Sequence, residues 1–275
     1  MKLEFYNTEL LLKETFSIAY GNYDKRDALL VKLSHNGNEG YGECVAINYY
    51  NINLEEFILK LSEIQGNIEN HEIVHPKEFF KFLSGLEIHP FLLSALDCAY
   101  WDLFGKLENK SFADFYAMET KNLVESSITI SIAEVDEQIQ KIERSSWNKF
   151  KVKCKGLDKE SVEKLARLNR NIALDCNASF SSEDCKWLQE QEFVKNFMYI
   201  EQPMEIGHFQ SLRKDGFANW MADEDAQNIE ILNDLLPHYS TVNIKLMKCG
   251  GLTPALEFIE KAKSLGYKIM IGCMT

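Results

Sequence analysis

The sequence lacks the features that mark several large classes of protein. No apolar run approaches the roughly 18 to 20 residues that span a membrane. Charged residues interrupt the amino-terminal stretch MKLEFYNTELLLKETF, where a secretory signal needs an unbroken apolar core. The seven cysteines form no C-x-x-C pair. We therefore expect reduced thiols, no membrane partner and a cytoplasmic location.

Positive charge is also scarce, since 30 Lys and Arg residues face 42 Asp and Glu residues, for a net charge of -12 at pH 7. A nucleic-acid-binding protein needs a basic face to displace counterions from phosphates, so no nucleic-acid partner is expected. No G-x-G-x-x-G or Walker loop follows a predicted strand, which weakens a nucleotide-binding hypothesis. An acidic protein instead favours metal cations as ligands.

One short stretch, HEIVH at residues 71–75, has the spacing of a zinc protease motif. On one helix, His71 and His75 would face the same metal ion. However, Pro76 disfavours a helical conformation at His75. The preceding QGNIENHEI lacks apolar periodicity and predicts a loop that leads into a helix starting near Pro76. We interpret HEIVH as a solvated loop.

The first part of the chain has the pattern of a small α+β domain, which we place at residues 1–122. Three segments are typical of strands: KLEFYNTELLLK, DALLVKLS and the glycine-rich GNEGYGEC. Three others have apolar residues at helical spacings of three and four: NLEEFILKLSEI, PKEFFKFLSGL and HPFLLSALDCAYWDLFGKLE.

From residue 123 to 275 short strands alternate with helical segments. Seven segments predict strands: SSITIS, KFKVKCK, NIALDCN, FMYIEQP, NWMADED, TVNIKLMK and YKIMIGCM. Six segments between them predict crossover helices: EVDEQIQKIERS, KESVEKLARLN, SEDCKWLQEQEF, FQSLRKDG, NIEILNDLL and TPALEFIEKAKSLG. Repeated β-then-α units imply a parallel sheet, and this number of units favours a β/α barrel over an open sheet.

Five polar residues recur once per β/α unit: Lys153, Asp175, Glu201, Asp223 and Lys245 are separated by 22, 26, 22 and 22 positions. Each therefore occupies an equivalent place on its strand. The carboxyl ends of barrel strands form the active-site face, so we expect all five to meet in one cavity.

Alternation along each strand places the flanking residues on the opposite face, Glu224 among them. Three carboxylates with open positions for water and substrate suit Mg²⁺, a hard cation, and do not imply zinc. The run KFKVKCK places Lys149, Lys151, Lys153 and Lys155 on one face of one strand. Their mutual repulsion and a nearby metal predict a lysine with a lowered pKa that acts as a base, or a bound anion.

Several motifs match one family together. KVK at 151–153, LDCN at 174–177, IEQP at 200–203, MADED at 221–225 and NIKLMKCGG at 243–251 resemble, in this order, the paired-lysine strand, the three metal strands and the opposing-lysine strand of the enolase superfamily. SALDCAYWDLFGK at 94–106 is similar to the long helix of that family's capping domain. The chain most resembles the dipeptide epimerases of the muconate-lactonising branch.

The resemblance implies a capping domain followed by a modified TIM-like barrel, and a Mg²⁺-dependent isomerase, with Mn²⁺ as an alternative metal. Asp175, Glu201 and Asp223 are then the metal ligands. Lys153 and Lys245 would invert the α-carbon of a dipeptide such as Ala-Glu by proton transfer through an enediolate. Lys151 would help to hold Lys153 deprotonated and to bind the substrate carboxylate. We expect a small-molecule substrate and a homo-oligomer.

Two departures from the family pattern stand out. Asp225 replaces the usual Ser and lies on the same face as Asp223, where it could compete for the cation; Asp223 is retained as the ligand. The sequence also stops at IGCMT, so we expect a barrel without the eighth strand on which relatives carry an Asp-x-Asp for the dipeptide's ammonium. The alternatives are o-succinylbenzoate synthase, another enzyme of this branch, or a catalytically silent ligand-binding relative.

Overall fold

The amino-terminal part of the chain consists of one antiparallel sheet and the helices packed on it. The computed structural model describes residues 1–18, 21–117 and 124–274. The sheet has the order β1-β2-β3, with β1 at Lys2–Ile18, β2 at Gly21–His35 and β3 at Asn38–Val45. The helices are α1 at Leu54–Glu69, α2 at Pro76–Ser84, α3 at Pro90–Glu108 and the short α4 at Phe112–Phe115. The predicted strands and the three predicted long helices are confirmed.

Helix α1 is longer than the sequence predicts, because it includes the segment 65–69 that we assigned to a loop. Ile64 and Ile68 are both buried, four residues apart, and continue the apolar stripe of the helix. The loop itself is confined to 70–75. There His75 caps α2, accepting a hydrogen bond from the Lys77 N–H, and Pro76 occupies the first turn. HEIVH therefore lies outside any helix, as predicted.

Helix α3 is the centre of the capping domain and packs closely on β3. A Cβ atom on Gly42 would lie 1.9 Å from the carbonyl oxygen of Ala95, and one on Gly40 would lie 2.1 Å from that of Ala99. The glycines of GNEGYGEC thus allow a helix backbone to lie directly against a strand. This contact fixes the position of α3, which carries several residues that face the barrel.

The rest of the described chain forms a curled parallel sheet of the order β10-β9-β8-β7-β6-β5-β4. Its strands are β4 at Ile128–Ile130, β5 at Lys149–Lys153, β6 at Asn171–Asp175, β7 at Ile200–Glu201, β8 at Trp220–Ala222, β9 at Thr241–Lys245 and β10 at Lys268–Gly272. Each of the seven predicted strand segments contains one of them.

The helices that connect these strands are α5 at Val135–Arg144, α6 at Lys159–Ala166, α7 at Ser182–Leu188, α8 at Leu232–Leu235, α9 at Leu246–Cys249 and α10 at Leu252–Ser264. Two of the predicted crossover helices are shorter in the structure than the sequence predicts. FQSLRKDG forms only a 3₁₀ turn at Phe209–Ser211, and NIEILNDLL forms the single turn of α8. Phe209 and Leu212 are both buried, and a 3₁₀ turn satisfies their spacing of three as well as an α-helix does.

Two hydrophobic cores lie on either side of the predicted domain division. One joins α1, α2 and α3 to the antiparallel sheet, and the other fills the space between the parallel sheet and its helices. The predicted boundary between residues 122 and 123 lies outside the described residues, as does the final residue, Thr275. Among the described helices, none has the length and apolarity needed to cross a membrane.

Candidate active site

The structure brings the five residues predicted from strand spacing to one edge of the parallel sheet. Lys153 ends β5 and lies in register with Asp175 at the end of β6, which in turn pairs with Glu201 at the end of β7. Asp223 follows β8 directly, and Lys245 ends β9. The three carboxylates are almost completely buried, with at most 1% of each residue exposed. Charged side chains are therefore buried at neighbouring strand ends, where apolar side chains would usually fill the barrel core.

Each buried carboxylate is paired with a lysine. Lys153 Nζ lies 2.6 Å from Asp175 Oδ2, and Lys245 Nζ lies 2.6 Å from Asp223 Oδ2. Lys151 Nζ lies between two acids, 3.1 Å from Glu201 Oε2 and 3.5 Å from Asp175 Oδ2. The predicted group is thus a single network of alternating charges.

Burial raises the pKa of each acid, whereas the paired lysines lower it. Burial raises the pKa of Asp223, but the charges of Lys245 and Lys248 outweigh it, so that the pKa of Asp223 lies well below its usual value. The pKa of Asp175 is lowered in the same way, by Lys153 and Lys151 against its burial. Glu201 differs, because burial and then the negative charge of Asp175 raise its pKa to about 7.

Two of the lysines, Lys151 and Lys245, have a raised pKa in place of the lowered one expected from repulsion between lysines beside a metal. Burial lowers the pKa of Lys151, but the carboxylates of Glu201 and Asp175 outweigh it and raise the pKa well above its usual value. The pKa of Lys245 is likewise raised, since Asp223 outweighs the effect of burial. Lysine repulsion within KFKVKCK is therefore relieved by acids on the neighbouring strands. Lys155, beyond the strand, is exposed.

The donor chemistry of the site fits a hard divalent cation. Asp175, Glu201 and Asp223 offer only oxygen, and they are buried side by side on adjacent strand ends. The raised pKa of Glu201 reflects the cost of three buried anions, which a cation would reduce. In residues 1–18, 21–117 and 124–274 no three acidic, His or Cys side chains are already arranged as a metal cage. Asp175 and Asp223 instead contact lysines.

A cavity of about 700 Å³ opens above this network. The capping domain contributes Ile47, Tyr49 and Tyr50 to its wall, and the barrel contributes Lys151, Lys153 and Lys245. The edge strands β4 and β10 also line it, which shows how far the sheet curls. Its volume lies within the range of roughly 300 to 1,000 Å³ for small-molecule sites.

Glu224 contradicts the predicted strand alternation. Strand β8 ends at Ala222, so alternation no longer applies at Glu224, and its side chain lines the cavity instead of the opposite face. Glu224 Oε1 accepts a long hydrogen bond of 3.4 Å from Asn177 Nδ2. Burial and then the charge of Asp223 raise the pKa of Glu224 to about 8.

Asp225, which its sequence position suggests as a competitor of Asp223 for a cation, is held by a different set of partners. Its carboxylate accepts hydrogen bonds from Gln202 Nε2 at 2.9 Å, from the Gly207 N–H at 2.8 Å and from the Tyr239 hydroxyl at 2.8 Å. Gln202 Oε1 in turn accepts from the backbone N–H groups of both Asp223 and Asp225. Asp225 is thus part of the support that fixes the loop carrying Asp223.

Two buried residues that the sequence motifs did not single out, Lys248 and Asn243, support the acids. Lys248 Nζ lies 2.7 Å from Asp223 Oδ1 and also donates to the Asp223 carbonyl oxygen. Asn243 Nδ2 donates to Glu201 Oε1 at 2.7 Å. Both lie within the motif NIKLMKCGG, but only the fold shows which of its polar residues point at the acids.

The enolase superfamily has this architecture: a capping domain lies over the strand ends of a curled parallel sheet, and buried carboxylates lie between opposed lysines. Residues 134–275 match the family model described as enolase C-terminal domain-like. Over the whole chain, 33% of residues are identical to an L-Ala-D/L-amino acid epimerase from Maribacter sp., of which 83% is covered, and 32% to one from Flavobacterium johnsoniae, of which 84% is covered.

A solved structure supports the same assignment. It is an enolase family member from Agrobacterium tumefaciens with homology to dipeptide epimerases, solved with bound sodium and L-Ala-L-Glu. It matches 99% of this chain and 83% of its own, with a TM-score of 0.88 and 26% identity. The chain therefore belongs to the enolase superfamily, and the predicted family and fold class are confirmed. The two relatives above are epimerases, which is the enzyme class that the sequence predicts.

Proposed function

We propose that this chain is a Mg²⁺-dependent dipeptide epimerase that moves protons with two lysines. The observation that carries the proposal is the placement of Lys153 and Lys245 on β5 and β9, so that both line one cavity with buried carboxylates on the strands between them. The relatives that match the full chain at about a third identity are L-Ala-D/L-amino acid epimerases, which supports this substrate class.

Asp175, Glu201 and Asp223 would hold the metal. When bound, Mg²⁺, or Mn²⁺ in its place, supplies positive charge that binds a substrate carboxylate and stabilises the negative charge developing as the α-proton leaves. A cation held there would offset part of the negative charge that raises the pKa of Lys151 and Lys245.

The chain's own residues then perform the inversion. In one direction, neutral Lys153 takes the α-hydrogen as a proton; the C–H bond breaks, an N–H bond forms, and the electron pair is delocalised into the carboxylate as an enediolate. The Lys245 ammonium delivers its proton to the opposite face of the carbon, and the reverse reaction exchanges the two roles. Lys151, which also lines the cavity, binds the substrate carboxylate.

Hydrogen exchange in D₂O tests the two-lysine mechanism. With Mg²⁺ present, both epimers of Ala-Glu should gain deuterium at the inverted carbon. Lys153→Ala should block exchange of the epimer whose α-hydrogen faces Lys153, and Lys245→Ala should block the other, each by about 10² to 10⁴ or more. Inversion should be lost in both variants.

Other functions give different results in the same assay. An o-succinylbenzoate synthase needs one base and would dehydrate its substrate without inverting a dipeptide. A silent relative would be stabilised by ligand but would exchange nothing. Near-parental inversion by either single-lysine variant would exclude the epimerase mechanism proposed here.

Calorimetric titration with Mg²⁺ tests the metal site separately. Asp175→Asn and Glu201→Gln should each abolish the heat of binding, because a hard cation loses an oxygen ligand. His71→Ala and His75→Ala are the controls, since both residues lie in the capping-domain loop, and should bind like the parent. Loss of binding in a histidine variant, with binding kept in the carboxylate variants, would place the metal in the capping domain.

A further inference from the structure

The turn that follows β6 has an unusual backbone conformation. Asn177 and Ala178 both have left-handed φ values, 41° and 60°, and neither is glycine. Two successive non-glycine residues in this region are strained. The turn is held by β7, because the Ala178 N–H donates to the Gln202 carbonyl oxygen at 2.8 Å and the Phe180 N–H donates to that of Pro203 at 2.8 Å. Strain held in place by neighbouring structure is typical of functional sites.

This turn directs the Asn177 carboxamide into the active-site network. Only 6% of Asn177 is exposed, and its side chain lies between Lys153 and Glu224. Lys153 Nζ donates to Asn177 Oδ1 at 3.0 Å, and Asn177 Nδ2 donates to Glu224 Oε1 at 3.4 Å. A charged lysine can only donate, so Lys153 determines that the amide oxygen of Asn177 points toward it and that Nδ2 points toward Glu224.

We infer that Asn177 is a positioning residue for Lys153, a role that rests on the proposed two-lysine epimerase. A neutral lysine amine has two N–H bonds and one lone pair. Asp175 Oδ2 and Asn177 Oδ1 can accept both hydrogens of Lys153. The remaining tetrahedral direction then carries the lone pair that takes a proton, or, in the ammonium, the hydrogen that is delivered. Without Asn177 the amine can rotate, and that direction is lost.

Lys245, on the opposite side of the site, has different hydrogen-bond partners from Lys153. In the part of the chain that the structure describes, Lys245 Nζ has one hydrogen-bond acceptor, Asp223 Oδ2. Among the hydrogen bonds of the described residues, one joins Asn177 to Lys153 and none joins it to Lys245. Loss of the Asn177 carboxamide should therefore impair one direction of proton transfer and spare the other. A residue that merely stabilises the fold would not produce this asymmetry.

Asn177→Gly is the variant that tests this role, with Ala178→Gly as its matched control. Glycine accepts a left-handed φ without strain, so both variants should fold. Ala178→Gly changes the same turn but keeps the carboxamide. Asn177→Ser, which also removes the carboxamide, is measured in parallel in case Asn177→Gly does not fold. Exchange of each Ala-Glu epimer is followed in D₂O with Mg²⁺, and Lys153→Ala identifies the epimer that faces Lys153.

Asn177→Gly should slow exchange of the Lys153-facing epimer by about ten- to 100-fold, mainly in kcat, and leave the other epimer near the parent rate. The primary isotope effect of α-deuterated substrate should rise in the Lys153 direction alone. Ala178→Gly should exchange both epimers like the parent. Equal slowing of both epimers by Asn177→Gly, slowing of neither, or the same asymmetry in Ala178→Gly would overturn the inference while leaving the proposed function intact. A parent protein that exchanges neither epimer would overturn both.

Discussion

Asp97 on α3 should make the stability of this protein fall as the pH rises through the mildly acidic range. The residue is fully buried where the capping domain meets the amino terminus of α10. Its carboxylate accepts a hydrogen bond of 2.8 Å from the Thr253 N–H and one of 2.7 Å from the Thr253 hydroxyl. Trp101 Nε1 donates to the same hydroxyl at 2.9 Å. An acid of one domain thus caps a helix of the other.

Burial is the dominant influence on this acid. It raises the pKa of Asp97 from 3.8 to about 6, against the lowering effect of the hydrogen bonds from Thr253. Between these two values the folded protein keeps a proton that the unfolded chain has lost. The free energy of unfolding therefore decreases as the pH rises from 3.8 to about 6, and it is level above that range. At about 1.4 kcal/mol per pKa unit, the decrease is about 3 kcal/mol.

Asp97→Asn removes this titration while keeping the shape of the side chain. Its amide oxygen can still accept from the Thr253 N–H. Urea unfolding of parent and variant is measured in EDTA at steps from pH 4 to pH 7. As the pH rises, the free energy of unfolding of the variant should increase by about 3 kcal/mol relative to that of the parent. The difference between the two proteins cancels the contributions of Glu201 and Glu224, which they share.

Glu108→Gln is the control, because Glu108 is an exposed acid at the end of the same helix. The free energy of unfolding of this variant should change with pH in the same way as that of the parent. A constant difference between Asp97→Asn and the parent over the whole range would show that Asp97 ionises as easily in the folded protein as in the unfolded chain. The assigned cost of its burial would then be wrong.

Three further substitutions should change stability in ways that follow from packing and charge, measured by urea unfolding at pH 7. Gly42→Ala should cost about 3 kcal/mol or more, because the added methyl would lie 1.9 Å from the Ala95 carbonyl oxygen. Gly66→Ala in α1 should instead stabilise by about 1 kcal/mol, since nothing lies within 4 Å of the added methyl. Lys248→Met should cost about 3 to 5 kcal/mol, because it leaves the buried Asp223 without one of its two lysine partners; a loss under about 1 kcal/mol would contradict this.

The positions of the main site residues could be predicted because they follow from regular structure. Residues at the ends of parallel strands meet at one edge of the sheet, so a repeat of 22 to 26 positions was enough to group Lys153, Asp175 and Glu201. The same reasoning failed for Glu224, since β8 is only three residues long and the alternation of faces ends with the strand.

The raised pKa of Lys151 could not be predicted from its own strand alone. KFKVKCK shows only like charges, whereas the acids that pair with them belong to other strands, up to 50 residues away for Lys151 and Glu201. Pairing across strands reverses the sign of the expected shift. The lengths of the crossover helices were also hard to predict. Phe209 and Leu212 are three residues apart and both buried, and a 3₁₀ turn can bury such a pair as well as a full α-helix can.

Asp223, which we propose as a metal ligand, differs from Asp225 in the groups that hold its carboxylate. Both carboxylates are buried within one short loop, and composition alone does not separate them. Asp225 is committed to three neutral donors, whereas the partners of Asp223 include two lysine ammoniums, which a divalent cation can replace as the source of positive charge. Gln202, with a left-handed φ of 34°, accepts hydrogen bonds from the backbone N–H groups of both residues and so holds the loop in place. An acidic residue at position 225 is thus accommodated, because its carboxylate accepts hydrogen bonds from Gln202, Gly207 and Tyr239 and leaves the lysines to Asp223.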